Sequence, residues 1–410
     1  MYVLGLHVLI QCIKKCKLIR ERIDKMKKSS KLVALLLCMV LIIGVLAGCG
    51  KAPDPTPSVT PGGITKSTLG LVPFEQKQIL RVGFFTGSPL SYPYLFADKL
   101  GYFKELNIEI EYVAFTNGPA MMEANAEWDI ASAGLGGLAN GMRGYGVKVI
   151  DINDYEENIG LFVRPDSALA KDPANPDNWK GTSWIYPAGT TAQATLVSAL
   201  KKVGLSIKDV KSTNMDVANA LTGFKGGTGD GLVVWNAIAF GAEDAGYVRI
   251  GDAGSLGFKA PCGTVAKAQT LKDKKQLIET AVAVFHYTAE WINKSDDNKK
   301  QAVAWYLEDC LNEGLKVNES IAKRVIDWYR GPSISEYFEL YTAKSPDDAG
   351  LYTKRDLLQA EKDIMVGLDF FISQGNYKAE ERTKFLDENL IDPSVALGVK
   401  AMLDNLKLAY

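Results

Sequence analysis

Hydrophobic positions change their spacing once along the chain, near residue 270. Between residues 79 and 250, short runs of β-branched and aromatic residues alternate with longer amphipathic stretches, and Gly, Pro or Asn separates them. This alternation is typical of α/β architecture. The predicted strands are 80–85, 108–115, 128–133, 147–152, 159–163, 183–186, 210–213 and 232–235.

Beyond residue 272 the apolar residues recur every three to four positions, which predicts long amphipathic helices. The predicted helices are 275–293, 299–314, 319–328 and 357–374. The pattern therefore indicates an α/β protein with a helical C-terminal third.

The N-terminal region has the composition of an export signal. Four lysines between residues 25 and 31 precede an uninterrupted apolar run at 32–46, which is shorter than the roughly 20 residues of a membrane-spanning helix. The following motif, Leu46-Ala47-Gly48-Cys49, resembles the lipobox of bacterial lipoproteins. We predict a signal peptide at 1–48 with Met26 as a possible true start, and a lipid, palmitate included, on Cys49. The alternative is an uncleaved anchor with an incidental cysteine.

Residues 49–78 are predicted to be the lipidated cysteine followed by a flexible linker, because 51–66 is rich in Pro, Gly, Ser and Thr. The protein would then be anchored to the cell membrane and face outside the cytoplasm.

Charge is distributed unevenly. The chain has a net charge of -1, but the part from Cys49 onward has 38 basic and 46 acidic residues, a net charge of -8. This acidic balance argues against nucleic acid and against a polybasic membrane contact.

Cys262 and Cys310 are the only cysteines after Cys49, too few for a disulfide framework. Cys310 lies at helical spacing with apolar neighbours, so a buried free thiol is favoured over a bridge between the two.

Ligands of open parallel sheets bind beyond the carboxyl ends of the strands, which here are the loops 86–92, 134–138 and 188–192. In the last of these, Thr190 and Thr191 open a predicted helix. Their hydroxyls and the free backbone N–H groups could hold an anionic or polar ligand group. Alternatively, one threonine only caps the helix.

The segment from Gly134 to Ala139 matches a dinucleotide-binding pattern, but it follows the third strand instead of the first, and an exported protein meets little nicotinamide cofactor. A tight turn that lets backbone approach a small ligand is the better interpretation. No cofactor is expected.

Catalytic and metal-binding residues are scarce. His286 is the only histidine after Cys49, and it lies in an apolar helical run, where a packing or surface role is favoured. A Ser/His/Asp set or a histidine-rich metal site cannot readily be built. Asp296, Asp297 and Asn298 are expected to form a solvated turn between two helices.

Several segments along the chain form a recognisable series, and the most specific of them is ADKLGYFK at 97–104. The others are RVGFF at 81–85, FTNGP at 115–119, WDIA at 128–131, GTTA at 189–192, LKKVGL at 200–205, KDV at 208–210 and GDGLVVW at 229–235. In order and spacing, these segments resemble the nitrate, sulfonate and taurine type of solute-binding proteins that serve ABC importers.

The resemblance implies a periplasmic-binding-protein type II fold, with one lobe at 79–155 plus 262–410 and a second at 156–261. A monomer would capture one small solute by hinge closure and deliver it to a permease. The ligand contacts implied by analogy are Phe85, Thr86, Ser88, Tyr92, Gly134, Leu135, Gly189, Thr190, Thr191, Trp235 and Asn236.

One departure concerns the ligand. Many relatives carry Glu and then Pro after the strand tryptophan, whereas Trp235 is followed here by Asn236 and Ala237. The missing carboxylate disfavours a taurine-like zwitterion. Sulfonates, other small anions and flat nitrogen heterocycles that stack on Tyr92 or Trp235 remain.

Two other functions compete. A lipid-anchored sensor of the same fold would bind the same ligand but report to a kinase or adhesin. Pyrimidine-precursor synthases share the fold but need a Cys- and His-bearing active site, which the separated Cys262, Cys310 and His286 do not supply.

Overall fold

The computed structural model describes residues 66–257, 260–329 and 331–410, and the predicted signal peptide, Cys49 and residues 50–65 of the predicted linker lie outside these ranges. In the described ranges the strands form two five-stranded sheets and one short ladder. The strands are β1 (Gln78–Phe85), β2 (Ile108–Phe115), β3 (Ile130–Ala133), β4 (Val147–Glu156), β5 (Ile159–Val163), β6 (Ser183–Tyr186), β7 (Lys211–Asn214), β8 (Gly231–Trp235), β9 (Val248–Asp252), β10 (Ala260–Lys267), β11 (Lys344–Ser345) and β12 (Leu357–Leu358).

The two large sheets share one topology. The first has the order β2-β1-β3-β10-β4, and the second has the order β7-β6-β8-β5-β9. In each, three neighbouring strands are parallel, and the fourth is antiparallel to both of its neighbours. The chain passes from the first sheet to the second after β4 and returns through β10, so the two connections are adjacent antiparallel strands.

Sixteen α-helices cover the sheets within the described residues. They are α1 (Tyr92–Lys99), α2 (Tyr102–Glu105), α3 (Gly118–Glu123), α4 (Leu135–Tyr145), α5 (Ala168–Lys171), α6 (Thr191–Lys202), α7 (Val217–Lys225), α8 (Asn236–Asp244), α9 (Ala268–Asp273), α10 (Lys275–Asn293), α11 (Asp296–Asn312), α12 (Glu319–Trp328), α13 (Ile334–Thr342), α14 (Gln359–Ser373), α15 (Ala379–Asp387) and α16 (Ser394–Leu406).

All eight predicted strands are present, but β9, β10 and the two short strands β11 and β12 were not predicted. Strand β10 contains Pro261 and Gly263, residue types that are depleted in strands, and it carries an irregularity between Cys262 and Gly263. Its pairing is imposed by neighbours that are distant in sequence. Local propensity therefore could not reveal it.

Helix α11 begins three residues earlier than predicted. The Ser295 hydroxyl accepts a hydrogen bond of 3.1 Å from the Asn298 amide and caps the helix. Asp296 and Asp297 are therefore in its first turn, where negative charge is favourable, and do not form a solvated turn. Helices α9, α13, α15 and α16 were not predicted.

Two buried clusters form the hydrophobic core. The larger runs through both sheets. The smaller joins Tyr92 and Phe96 of α1 to Tyr306 of α11, and it includes Ile321 of α12 and Phe240 of α8. Helix α12 thus contacts the helix that follows β8 of the second sheet.

The histidine and the two cysteines of the described residues are all buried inside the fold. His286 is fully buried, with Nε2 3.1 Å from Oδ1 of Asp151, and its ring stacks on Tyr337 at 4.4 Å. Cys262 and Cys310 are both buried and free, which confirms the preferred interpretation. Over the described ranges, no helix combines the length and the apolar character needed to cross a membrane.

Candidate ligand-binding site

A small cavity of about 20 Å³ lies between loops of the two sheets. Its walls combine the ends of β1, β3 and β4 with the start of α3 from the first sheet, and the loop before α6 and the end of β8 from the second. The lining residues are Phe85, Gly118, Pro119, Gly134, Gly137, Glu156, Thr190, Thr191 and Trp235.

The two sides of this cavity are in direct contact. A Cβ atom at Gly136 would lie 2.5 Å from the carbonyl oxygen of Gly189, so the absence of a side chain permits the approach. The rings of Phe85 and Trp235 meet edge to face, with centroids 6.4 Å apart. The glycines after β3 lie at the start of helix α4. Because Gly136 has no side chain, the backbone of the loop before α6 can approach it closely.

Glu156 is the only carboxylate among the described residues that line this cavity. It ends β4, is 7% exposed, and accepts a hydrogen bond of 3.3 Å from Nδ2 of Asn236. Burial, reinforced by the negative charge of Asp154, raises its pKa to about 7. Within the described part of the chain, no ion pair involves Glu156.

Gly134 leaves space next to this carboxylate. A Cβ atom there would lie 3.1 Å from Oε2 of Glu156, 3.2 Å from the Thr191 hydroxyl and 3.7 Å from Sγ of Cys262. Burial and the Glu156 charge raise the pKa of the Cys262 thiol well above its usual value. The thiol is therefore a neutral neighbour and not a nucleophile.

Asn236 has a left-handed backbone, with φ of 48° at the first position of α8. Only Gly, Asn and Asp adopt this conformation at modest cost, and such residues cluster at functional sites. This conformation directs the Asn236 side chain towards Glu156, and the hydrogen bond between them joins elements of the two sheets.

Thr190 caps helix α6. Its hydroxyl donates to the Pro187 carbonyl at 2.7 Å and accepts from the Ala192 amide at 3.2 Å. Capping, the alternative considered for this loop, is therefore its observed role. The hydroxyl that faces Gly134 and Glu156 belongs to Thr191.

A second, wider cavity of about 500 Å³ adjoins the first along Trp235. Thr86 and Phe115 line one side, and α7 with Ile238 lines the other. Its charged lining residues are Asp216, Lys225, Glu313 and Lys316. Nδ2 of Asn117 bridges the two sides by a hydrogen bond of 3.2 Å to Asp216.

The structure separates the other expected contact residues from the small cavity. Tyr92 donates a hydrogen bond of 2.6 Å to Asp309 and packs on Tyr306, and it lines a different cavity beside α11. The Leu135 side chain packs on Gly367 of α14. The Ser88 hydroxyl is buried and lines neither cavity. Gly189 contacts Gly136, as described above.

The sequence-based search missed Glu156, although one signal was available. The chain was expected to cross between lobes near Tyr155, and the next two residues, Glu156 and Glu157, are acidic. A carboxylate at a crossing between lobes is close to any ligand bound between them. Glu156 lies outside the three loops, 86–92, 134–138 and 188–192, in which ligand contacts were expected.

The fold is that of periplasmic binding proteins, as expected. The alkanesulfonate-binding protein SsuA of Xanthomonas axonopodis pv. citri, solved with MOPS, has a TM-score of 0.56 at 17% identity, covering 74% of this chain and 95% of that one. The nitrate-binding protein NrtA of Synechocystis PCC 6803 has a TM-score of 0.59 at 12% identity, covering 81% and 90%. A ligand-binding component of an ABC-type import system from Staphylococcus aureus has a TM-score of 0.57 at 14% identity, covering 79% and 99%. At these identities the likeness shows the two-lobed fold alone.

The family profile described as NMT1/THI5 like matches residues 88–298, about half of the chain. The chain therefore belongs to the NMT1/THI5-like family, and the resemblance inferred from the sequence is confirmed. No curated protein matches it.

Proposed function

We propose that this chain is the extracytoplasmic solute-binding component of an ABC importer and that it is held at the membrane by lipid on Cys49. The observation that carries the proposal is the convergence of buried polar groups on one small cavity. Glu156 comes from the first sheet, and Thr191 and Asn236 come from helices of the second. A ligand bound between two lobes stabilises the closed form, because it makes all its contacts only when both sides meet.

The division into lobes follows the two sheets. We assign residues 79–155 and 262–410 to the first lobe and 156–261 to the second, so that both connections run through the paired strands β4 and β10. Closure would rotate the second lobe about these strands. The closed form, as a monomer, would then be recognised by the permease.

Binding without catalysis is the activity that these side chains support. His286 is enclosed with Asp151 away from the cavity, and the pKa of the Cys262 thiol is raised. Neither offers the nucleophile and base that an enzyme related to pyrimidine-precursor synthases would need.

A thermal unfolding screen tests the proposal. The full chain, purified in a mild detergent, is mixed with sulfonates, carboxylates, nitrate, amines, pyrimidines and flavins. A true ligand at a hundredfold excess over its dissociation constant should stabilise the protein by about 2.7 kcal/mol. Failure of every class to shift the unfolding transition would contradict solute binding.

Variants locate the site once a ligand is found. Trp235→Ala should weaken binding at least tenfold, because the ring lines both cavities. Trp328→Ala is the matched control, since this tryptophan is exposed on α12 and lines neither cavity. Equal loss in both variants would indicate a general effect on the fold.

A further inference from the structure

We propose that the solute bound at this site is a small organic cation, whose protonated amine, amidine or guanidinium group pairs with the carboxylate of Glu156. The inference rests on the proposed solute-binding function and narrows its ligand class. It replaces the anions that the resemblance suggested with a ligand of opposite charge.

The cost of burying the Glu156 charge favours a cationic ligand. Ionised carboxylates inside proteins are normally paired, because an isolated buried charge is strongly unfavourable. The described groups facing Glu156 are Asp154 on its own strand, Cys262 on β10, Thr191 on α6 and Asn236 on α8, and none of them is positive. A cationic ligand supplies the partner. An anion would add repulsion from Glu156.

The Glu156 carboxylate also has hydrogen-bonding capacity left for a ligand. Oε1 of Glu156 accepts from Asn236, while Oε2 and the Thr191 hydroxyl both face the space left open at Gly134. A nitrogen with two or three N–H donors placed there could bind both oxygens at once. The Thr191 hydroxyl is free to rotate so that its lone pair faces the donor.

Aromatic rings on both sides give the third argument. Phe85 and Trp235 line the same cavity and meet edge to face. The faces of such rings attract cations within about 6 Å, most strongly when water is excluded. A carboxylate, a hydroxyl and two rings around one space match the recognition of an organic ammonium or amidinium group.

The size of the cavity sets the mode of entry. A volume of about 20 Å³ is enough for roughly one water molecule, so only a head group of a ligand approaches this size. The contact between Gly136 and Gly189 must open to admit it. The rest of the ligand can extend past Trp235 into the wider cavity, where charges of both signs line the walls.

The test compares two panels of matched size on the full chain. Methylamine, propylamine, acetamidine, guanidine and agmatine are used as chlorides, and methanesulfonate, acetate, nitrate and propanesulfonate as sodium salts at equal ionic strength. Calorimetric titration should detect binding in the first panel only. For an amine that stays protonated throughout, affinity should rise about thirtyfold from pH 5.5 to pH 8, as Glu156 ionises with a pKa of about 7.

The decisive variant is Glu156→Gln, which keeps the shape and removes the charge. It should lower the affinity for the cation at least tenfold and abolish the pH dependence. Glu111→Gln, at an exposed position of β2, is the matched control and should behave like the wild type. The wild-type pH profile provides an independent readout should the glutamine variant fold poorly.

The outcomes separate the two proposals. Binding of anions alone, or of cations with wild-type affinity and pH profile in Glu156→Gln, would overturn the cation assignment and leave the receptor function standing. Absence of binding in both panels and in the wider screen would remove the receptor function itself. Cation binding that depends on Glu156 supports both.

Discussion

Nδ2 of Asn236 donates a hydrogen bond to Oε1 of Glu156 across 3.3 Å, and this contact joins the first turn of α8 to the last residue of β4. The donor belongs to an element of the second sheet and the acceptor to one of the first. The contact places a buried carboxylate where the two lobes meet, and four predictions concern it and its surroundings.

Glu156→Gln should change how stability depends on pH. The folded protein holds this group with a pKa of about 7, above its ordinary 4.5, so folding favours the neutral form. The stabilisation is complete below pH 4.5 and is lost as the pH rises through 7, which corresponds to about 3 kcal/mol. In urea unfolding, the variant should match the wild type at pH 4.5 and exceed it at pH 8. Parallel pH profiles would show that Glu156 is not buried as described.

Asn236 should respond differently to Ala and Gly. The left-handed backbone costs an alanine about 1 kcal/mol more than a glycine, so Asn236→Ala should be the less stable variant by that amount. Both lose the hydrogen bond to Glu156 and should bind the ligand equally weakly. Denaturant unfolding and calorimetric titration measure the two effects separately. Wild-type affinity in the glycine variant would exclude Asn236 from the site.

Gly136→Ala should hold the two sides of the cavity apart, because the added methyl group would meet the Gly189 carbonyl at 2.5 Å. We expect a larger radius of gyration in solution scattering and at least fivefold weaker ligand binding. Gly144→Ala in the same helix is the control, since its Cβ would come no nearer than 4.0 Å to Asn140. An unchanged radius with full affinity would show that the contact is not needed for closure.

Arg324→Ala should weaken the contact between α12 and α8. The guanidinium lies 3.1 Å from Glu243 and 2.5 Å from Asp244, and it covers the Phe240 ring at 4.6 Å. These half-exposed pairs are expected to contribute about 1 kcal/mol to stability. Lys323→Ala, which affects only a pair within α12, should change the free energy of unfolding by less than about 0.5 kcal/mol. Identical unfolding curves for the two variants would argue against a link between α12 and α8.

The sequence was most informative where structure is local. Strands such as β8 and helices such as α12 were predicted because their apolar spacing reflects burial directly. Strand β10 was missed because its Pro261 and Gly263 are tolerated only through pairing with β3 and β4. Pairing between segments more than a hundred residues apart has no local pattern.

The site was predicted only in part for the same reason, because it depends on contacts between segments that are distant in sequence. Trp235 and Thr191 were expected at the cavity because motifs mark them, and the structure places both there. Glu156 belongs to no motif, and its importance arises from the approach of Asn236, Gly134 and Cys262. Tyr92 was expected at the ligand, but α11 brings Asp309 to its hydroxyl.

In the proposed closure the carboxylate would lie close to the pivot, because the ladder of β4 and β10 ends where Glu156 pairs with Ala260. Points near this pivot would move less than the contact between Asn117 and Asp216, which belong to neither strand of the ladder. A head group bound at Glu156 would keep its position while the cleft opens and shuts. Ligand release would then depend on how readily the contacts at the wider cavity separate.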